Sequence, residues 1–276
     1  MDIGNIGVLA RQELRITLRT RWVQIFALVF GVLTIAISYF GMVTSVVVGF
    51  EGFTRTTASL LNLVLYLVPM LALAAATSSF SGDKGAAEFL FSQPVSRTEV
   101  LLGKILGLFA SLAVAVIFGF GVSGFVVAAQ SGTDGIMRYL GFLVLTLLFL
   151  LTFLCLGAFA SIVSESRTRA LGIALAMWFA FVLFYDLVVM GLACLVSPHT
   201  SRAFILLSLF GNPVDLARVA GLLILGGATI FGAAGSALVK TLGSTALAVT
   251  ALSFAGLVWS AATLALTSRV LGRREI

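Results

Sequence analysis

Six long apolar stretches, separated by short clusters of charged and small polar residues, dominate the pattern along the chain. Read as gaps between charged residues, they run from Trp22 to Phe50, Thr56 to Gly82, Ile105 to Thr133, Tyr139 to Ser164, Ala170 to about Val196, and Thr241 to Ser268. Only the fifth contains a charge, Asp186. A helix needs about 20 apolar residues to cross a hydrocarbon core about 30 Å thick, so each gap is long enough for one crossing. The stretches have no period-two alternation, and backbone groups inside lipid must be bonded within the segment or around a closed barrel. The pattern therefore predicts an all-α polytopic membrane protein with six transmembrane helices.

A seventh apolar stretch, Val219 to Val239, lies between Arg218 and Lys240 and carries Gly221, Gly226, Gly227, Gly232 and Gly235. As a span it would put the two termini on opposite faces. As a re-entrant or interfacial pair it leaves six crossings and both termini on one side. With six, one face holds Arg11, Arg15, Arg19, Arg21, Lys84, Arg97, Lys104, Arg167, Arg169, Arg269, Arg273 and Arg274, against Arg55, Arg138, Arg202, Arg218 and Lys240 on the other. Cytoplasmic loops carry the Lys and Arg excess, so both termini are expected in the cytoplasm. The expected organisation is an interfacial helix over 1–21 and one transmembrane domain over 22–276. Within that domain, a loop spans about 81–104 and an external helical segment about 200–240.

Composition sharpens the class. The 276 residues are 60% hydrophobic and 10% charged, with a mean hydropathy of +1.16. Soluble domains run at about 45–50% and about 25%. A soluble enzyme is excluded, and the formal charge of +6 reads as topology and not as a nucleic-acid surface. Two cysteines, Cys155 and Cys194, both in apolar stretches, give no disulfide framework. The first apolar run is too long for a signal-peptide core and is expected to be retained.

Four local features stand out. In Ile6 to Arg21, an apolar row of Ile6, Ala10, Leu14, Leu18 and Trp22 adjoins a row of Arg11, Arg15 and Arg19, which predicts an amphipathic helix along the inner leaflet. The loop SGDKGAAEFLFSQPVSRTEVLLGK, Ser81 to Lys104, predicts a short helix over Lys84 to Phe91 and a break at Pro94. A new helix is then opened by Ser96 and Glu99 as a capping box. A short rigid helix hung between two spans can pass a push from a soluble partner into the bilayer. Gly103, Gly107, Ser111, Ala115 and Gly119 form a small-residue row at spacing four, expected to pack closely against a helix of the same subunit.

Asp186 is the fourth feature. A lone acid in a span costs about 2.5–3.5 kcal/mol on insertion scales, so it should face protein, a partner or water. Met190 and Cys194 follow at i+4 and i+8, and soft sulfur suits Cu(I). These three are the weak metal candidates, against a plainer reading of Met and Cys as apolar filler. The three lysines fit no G-x-x-x-x-G-K-[ST] loop, there is no H-E-x-x-H or G-x-S-x-G, and there is a single histidine, His199. The chain is expected to carry no catalytic residue and no cofactor of its own.

The RTRWVQIFALVF run, TASLLNLVLYLVPMLAL, SQPVSRTEVLLGK, FVLFYDLVV around Asp186 and the late FGNPVDLARV resemble a permease subunit of a type-2 ABC exporter. Within that family, they resemble the branch serving nitrous oxide reductase maturation. The resemblance covers nearly the whole chain. It implies that fold, a bacterial inner-membrane location, pairing with a second copy, and a pair of separate ATPase subunits that bind ATP and Mg. It further implies that the loop docks in the ATPase through Asp83, Lys84, Glu88, Phe91, Gln93, Pro94 and Arg97. A periplasmic β-helical protein would dock through Asn212, Pro213, Asp215 and Arg218, and the complex, embedded among membrane lipids, would handle Cu(I). The loop departs from the family's pattern at Gly85, Ala86, Ala87 and Glu88, where a more acidic, threonine-containing stretch is common. The competing expectation is a general exporter of the same type for a lipid, peptide or drug.

Overall fold

A computed structural model describes residues 2–48, 52–81, 96–131, 136–195, 198–225 and 232–273. Within them the chain is helical throughout. In order, the helices are α1 (Ile3–Arg19), α2 (Arg21–Val48), α3 (Gly52–Phe80), α4 (Arg97–Ser131), α5 (Ile136–Val163) and α6 (Arg167–Phe179). A π-helical turn (Ala180–Phe184) then leads into α7 (Tyr185–Leu195), α8 (Pro198–Gly211), α9 (Pro213–Leu225), α10 (Gly232–Leu242) and α11 (Thr245–Arg273). Six of the described helical units are long and apolar enough to cross a membrane: α2, α3, α4, α5, α6 with α7, and α11.

α5 is the centre of the bundle, packed against α3, α4, α6, α9 and α11. Its Phe142, Phe149 and Phe153 are buried with Phe120 of α4 and Phe30 of α2, and the Phe120–Phe142 ring centroids are 5.4 Å apart. Lipid tails are as apolar as these side chains, so such packing is held by dispersion contacts and by hydrogen bonds between helices, not by release from water. The bonds are present. Thr152 of α5 and Ser260 of α11 lie 2.9 Å apart through their hydroxyls, and Thr34 of α2 donates to the Gly119 carbonyl of α4 at 3.2 Å.

The small-residue row of α4 does what its spacing predicts, within one subunit. A Cβ on Gly119 would fall 2.7 Å from Phe30 Cδ1 of α2, and one on Gly107 would fall 2.5 Å from the Ala10 carbonyl of α1. Gly103 meets Ile6 and Leu9, and Ser111 Oγ donates to the Leu14 carbonyl. α1 therefore runs alongside α4 in the same direction, with Ile6 level with Gly103 and Leu14 level with Ser111. The face turned to α4 takes in Ile6, Ala10 and Leu14 of the apolar row. The fully buried positions are Glu13 and Thr17, while Leu18 is 38% exposed. Glycine lets the α1 backbone approach, and the buried Glu13 finds a polar partner in Ser79 of α3.

Of the stretch from Val219 to Val239, the described residues are the last part of α9, to Leu225, and α10 from Gly232; whether it is re-entrant or interfacial turns on residues 226–231, which lie outside the described residues. α9 is also bent by 108° from the end of α8, with the break at Asn212. Within the 200–240 segment, Val214, Leu216, Ala217, Val219, Ala220 and Leu223 of α9 are buried against α3, α5 and α11.

Candidate coupling sites at the two ends of the bundle

At one end of the bundle, the helices on either side of residues 82–95 are fastened to their neighbours. α4 opens as the sequence predicts: Ser96 N–H donates to Glu99 Oε2 at 3.1 Å and Glu99 N–H donates to Ser96 Oγ at 3.3 Å, a capping box. The same carboxylate reaches further, since its Oε1 accepts from the Asp2 backbone N–H at 2.7 Å. Asp2 in turn caps α1 by accepting from Gly4 N–H. One acid thus serves the starts of two helices, where the unpaired N–H groups favour negative charge. Arg97 Nη1 donates to the Leu271 carbonyl of α11 at 2.9 Å. Both termini of the described chain therefore meet at this end, as six crossings require.

The end of α3 is tied as firmly. Ser79 Oγ donates to Glu13 Oε1 at 2.7 Å, and Lys104 Nζ donates to the Ser79 carbonyl at 2.8 Å, so one residue of α3 is held by both α1 and α4. Ser81 Oγ lies 2.7 Å from Ser161 Oγ of α5. Of the residues assigned to ATPase contact, only Arg97 is among those described. Asp83, Lys84, Glu88, Phe91, Gln93 and Pro94, with the short helix expected over Lys84 to Phe91, lie outside the described residues.

Asp186 sits in the other half of the fifth span, about 28 Å along the helix axis from Arg167. The π-helical turn just before it inserts an extra residue, and the Tyr185 N–H bonds back to the Ala180 carbonyl. Such a bulge changes which way the following side chains point. Tyr185 OH donates to the Ser208 carbonyl of α8 at 2.7 Å, and the Asp186 carboxylate meets Arg218 of α9, with Nη1 at 2.5 Å from Oδ2. The same nitrogen donates to Asp215 Oδ1 at 2.9 Å. Asn212 closes the set. Its Nδ2 donates to the Phe181 carbonyl in the π turn at 2.9 Å and to Asp215 Oδ2 at 3.0 Å, while its Oδ1 accepts from Val214 N–H at 3.0 Å.

The N-P-V-D run is thus a helix start. Asn212 is the cap, Pro213 takes the first helical position where no N–H is needed, and Asp215 occupies the first turn. Asn212 is fully buried, and so is Pro213. Asn212 holds α9 to the fifth span, and neither of these two side chains is exposed in the single chain. Asp186, assigned to one feature, and Asn212, Asp215 and Arg218, assigned to another, form one network. Met190 does not join it, being 72% exposed, and Cys194 is exposed as well. Among the described residues no three His, Cys, Asp or Glu side chains cluster as a metal site would need. Sequence reasoning missed Glu13, Ser79, Lys104 and Tyr185, and the pairing of Asp186 with Arg218, whose one signal is that a lone acid in a span needs a base nearby.

These observations define a polytopic helical bundle with one polar network at each end, and the comparisons with known proteins give its class. The chain belongs to the ABC-2 family of transporter proteins, whose sequence profile matches residues 8–276, and it is an ABC transporter permease. It is 32% identical, over 98% of its own length and 99% of the other chain, to the "Probable ABC transporter permease protein NosY" of Pseudomonas aeruginosa. It is 33% identical to the protein of the same name from Stutzerimonas stutzeri, over 80% of its length and 82% of that chain.

Proposed function

We propose that this chain is the force-transmitting permease of a bacterial inner-membrane transporter in copper-site maturation of nitrous oxide reductase. It works as a pair of copies bound to a pair of separate ATPase subunits. The end holding both termini faces the cytoplasm, and residues 82–95 dock in the ATPase. ATP and Mg are bound by the ATPase, and any Cu(I) is handled by the complex and not by a site in this chain.

The observation that supports this reading most is the fastening of both helix ends beside residues 82–95. α3 leaves that segment held by Glu13, Lys104 and Ser161, and α4 enters from it held by Asp2 and Leu271. A displacement applied between these ends is shared at once with α1, α5 and α11, because close-packed helices shift as units. At the far end the Asp186–Arg218–Asp215–Asn212 network joins the fifth span to α9, so tilting that span carries α8 and α9 with it. In this account a periplasmic β-helical partner sits on the external face formed by those helices. It meets them through their exposed surface, with Asp215 and Arg218 behind it.

The coupling is tested by replacing Glu88 and Phe91 with alanine and purifying the tagged permease with its ATPase. The expected result is normal membrane insertion with loss of ATPase recovery. Unchanged recovery would remove the 82–95 segment from the contact.

A further inference from the structure

Ser79 stands between two opposite charges. Its hydroxyl donates to Glu13 Oε1 of α1 at 2.7 Å, and its carbonyl accepts from Lys104 Nζ of α4 at 2.8 Å. The ammonium also lies 5.3 Å from the ring centroid of Phe80. Both charges are thus directed at the last turn of α3, where the final carbonyls of a helix favour a cation. Glu13 is 9% exposed and Lys104 is half-buried. Among the described residues no ion pair joins the two directly.

The same two side chains are rooted close enough to pair. Glu13 Cβ and Cγ lie 2.6 and 3.2 Å from the place a Gly107 Cβ would take. Gly107 follows Lys104 by one turn, on the same face of α4. Two long side chains with roots this close can meet, and Ser79 occupies the gap between them. When the end of α3 is drawn away, Glu13 loses the hydroxyl and Lys104 loses both the carbonyl and the ring. A charge left without a partner in a packed interior is costly, and each of these groups is the opposite charge facing the other across the gap.

We propose that Glu13, Ser79 and Lys104 form an exchangeable latch. With α3 seated, the two charges hold its last turn; with α3 displaced, they bond to each other and keep α1 on α4. Two alternative sets of bonds give an element with two discrete positions, which a displacement flips once it is large enough to part Ser79 from its partners. The use of the latch in a working cycle rests on the coupling role of residues 82–95, since that segment begins three residues after Ser79. The exchange itself does not depend on that role.

The exchange is tested in the purified full-length permease by measuring Tm in detergent for Glu13→Gln, Lys104→Met and the double variant, first with Ser79 and then with Ser79→Ala. The non-additivity of the two substitutions measures how far the charges depend on one another. In a latch, Ser79→Ala frees Glu13 to take Lys104, so the non-additivity should grow roughly twofold or more. In a fixed bridge it should shrink, because the hydroxyl is what joins the two groups. An unchanged or smaller value overturns the proposal. A second measurement addresses the cycle. Glu13→Gln keeps an oxygen for the Ser79 hydroxyl but carries no charge for Lys104. The tagged variant should retain its ATPase subunit, while ATP turnover of the complex in liposomes falls several-fold; Lys104→Arg should keep most of that turnover. Unchanged turnover in Glu13→Gln overturns the latch as a working part. Failure of wild type to retain an ATPase would contradict the coupling role, and the Tm comparison would still decide the exchange.

Discussion

Arg218 of α9 binds Asp186 of the fifth span and Asp215 of its own helix through one nitrogen, at 2.5 and 2.9 Å. Two acids share one base, which makes the base the member whose loss is most damaging. Arg218→Met leaves two carboxylates side by side with no cation between them. Breaking a fully buried pair costs about 3–5 kcal/mol. Here the side chains are 31% and 42% exposed, so about 1–3 kcal/mol is expected, read as a lowered Tm in detergent. Asp186→Asn keeps the Arg218–Asp215 pair and should insert and fold near normally while losing transport or maturation activity. Full activity in that variant would make Asp186 purely structural.

Gly107 admits the backbone of α1 at a distance that leaves no room for a side chain. Gly107→Val should push α1 off α4 at a cost of about 1–3 kcal/mol. The readout is limited proteolysis at Arg11 and Arg15, which should become several times faster. Gly121→Val is the control, since a Cβ there meets nothing within 4 Å. Equal proteolysis in the two variants would count against the packing described.

Glu99 caps α4 and also receives the Asp2 N–H. Ser96→Ala removes one cap bond, and the loss should be about 1 kcal/mol. Glu99→Ala should cost more, because it also releases the start of α1. Hydrogen exchange should show faster exchange at residues 97–100 in both variants and at residues 3–6 only in Glu99→Ala. Faster exchange at residues 3–6 in both would place the link elsewhere.

The spans were legible because a bilayer imposes one length and one composition on every crossing. The capping box at Ser96 and Glu99 was legible because its partners are three residues apart. The partner of α1 was not, since the glycines that receive Ile6 and Ala10 lie 97 residues away on α4 and no local pattern shows that Glu13 and Thr17 are buried beside them. The seventh stretch was ambiguous by composition, because its glycines weaken a span without ending one, and the 108° turn at Asn212 falls before it, where no hydrophobic pattern marks it. Asp186 announced itself as a charge needing a partner, but no local rule points from it to Arg218. The π turn that aims Tyr185 and Asp186 leaves no mark in hydrophobic periodicity.

Transmission of ATPase motion through this permease to an external partner is tested by tagging the C-terminus, solubilising membranes gently and identifying the retained proteins by mass spectrometry. Recovery of an ATPase subunit together with a periplasmic β-helical protein is expected. An ATPase without the periplasmic protein would contradict the maturation role and favour a general exporter, and recovery of no ATPase would contradict the coupling itself.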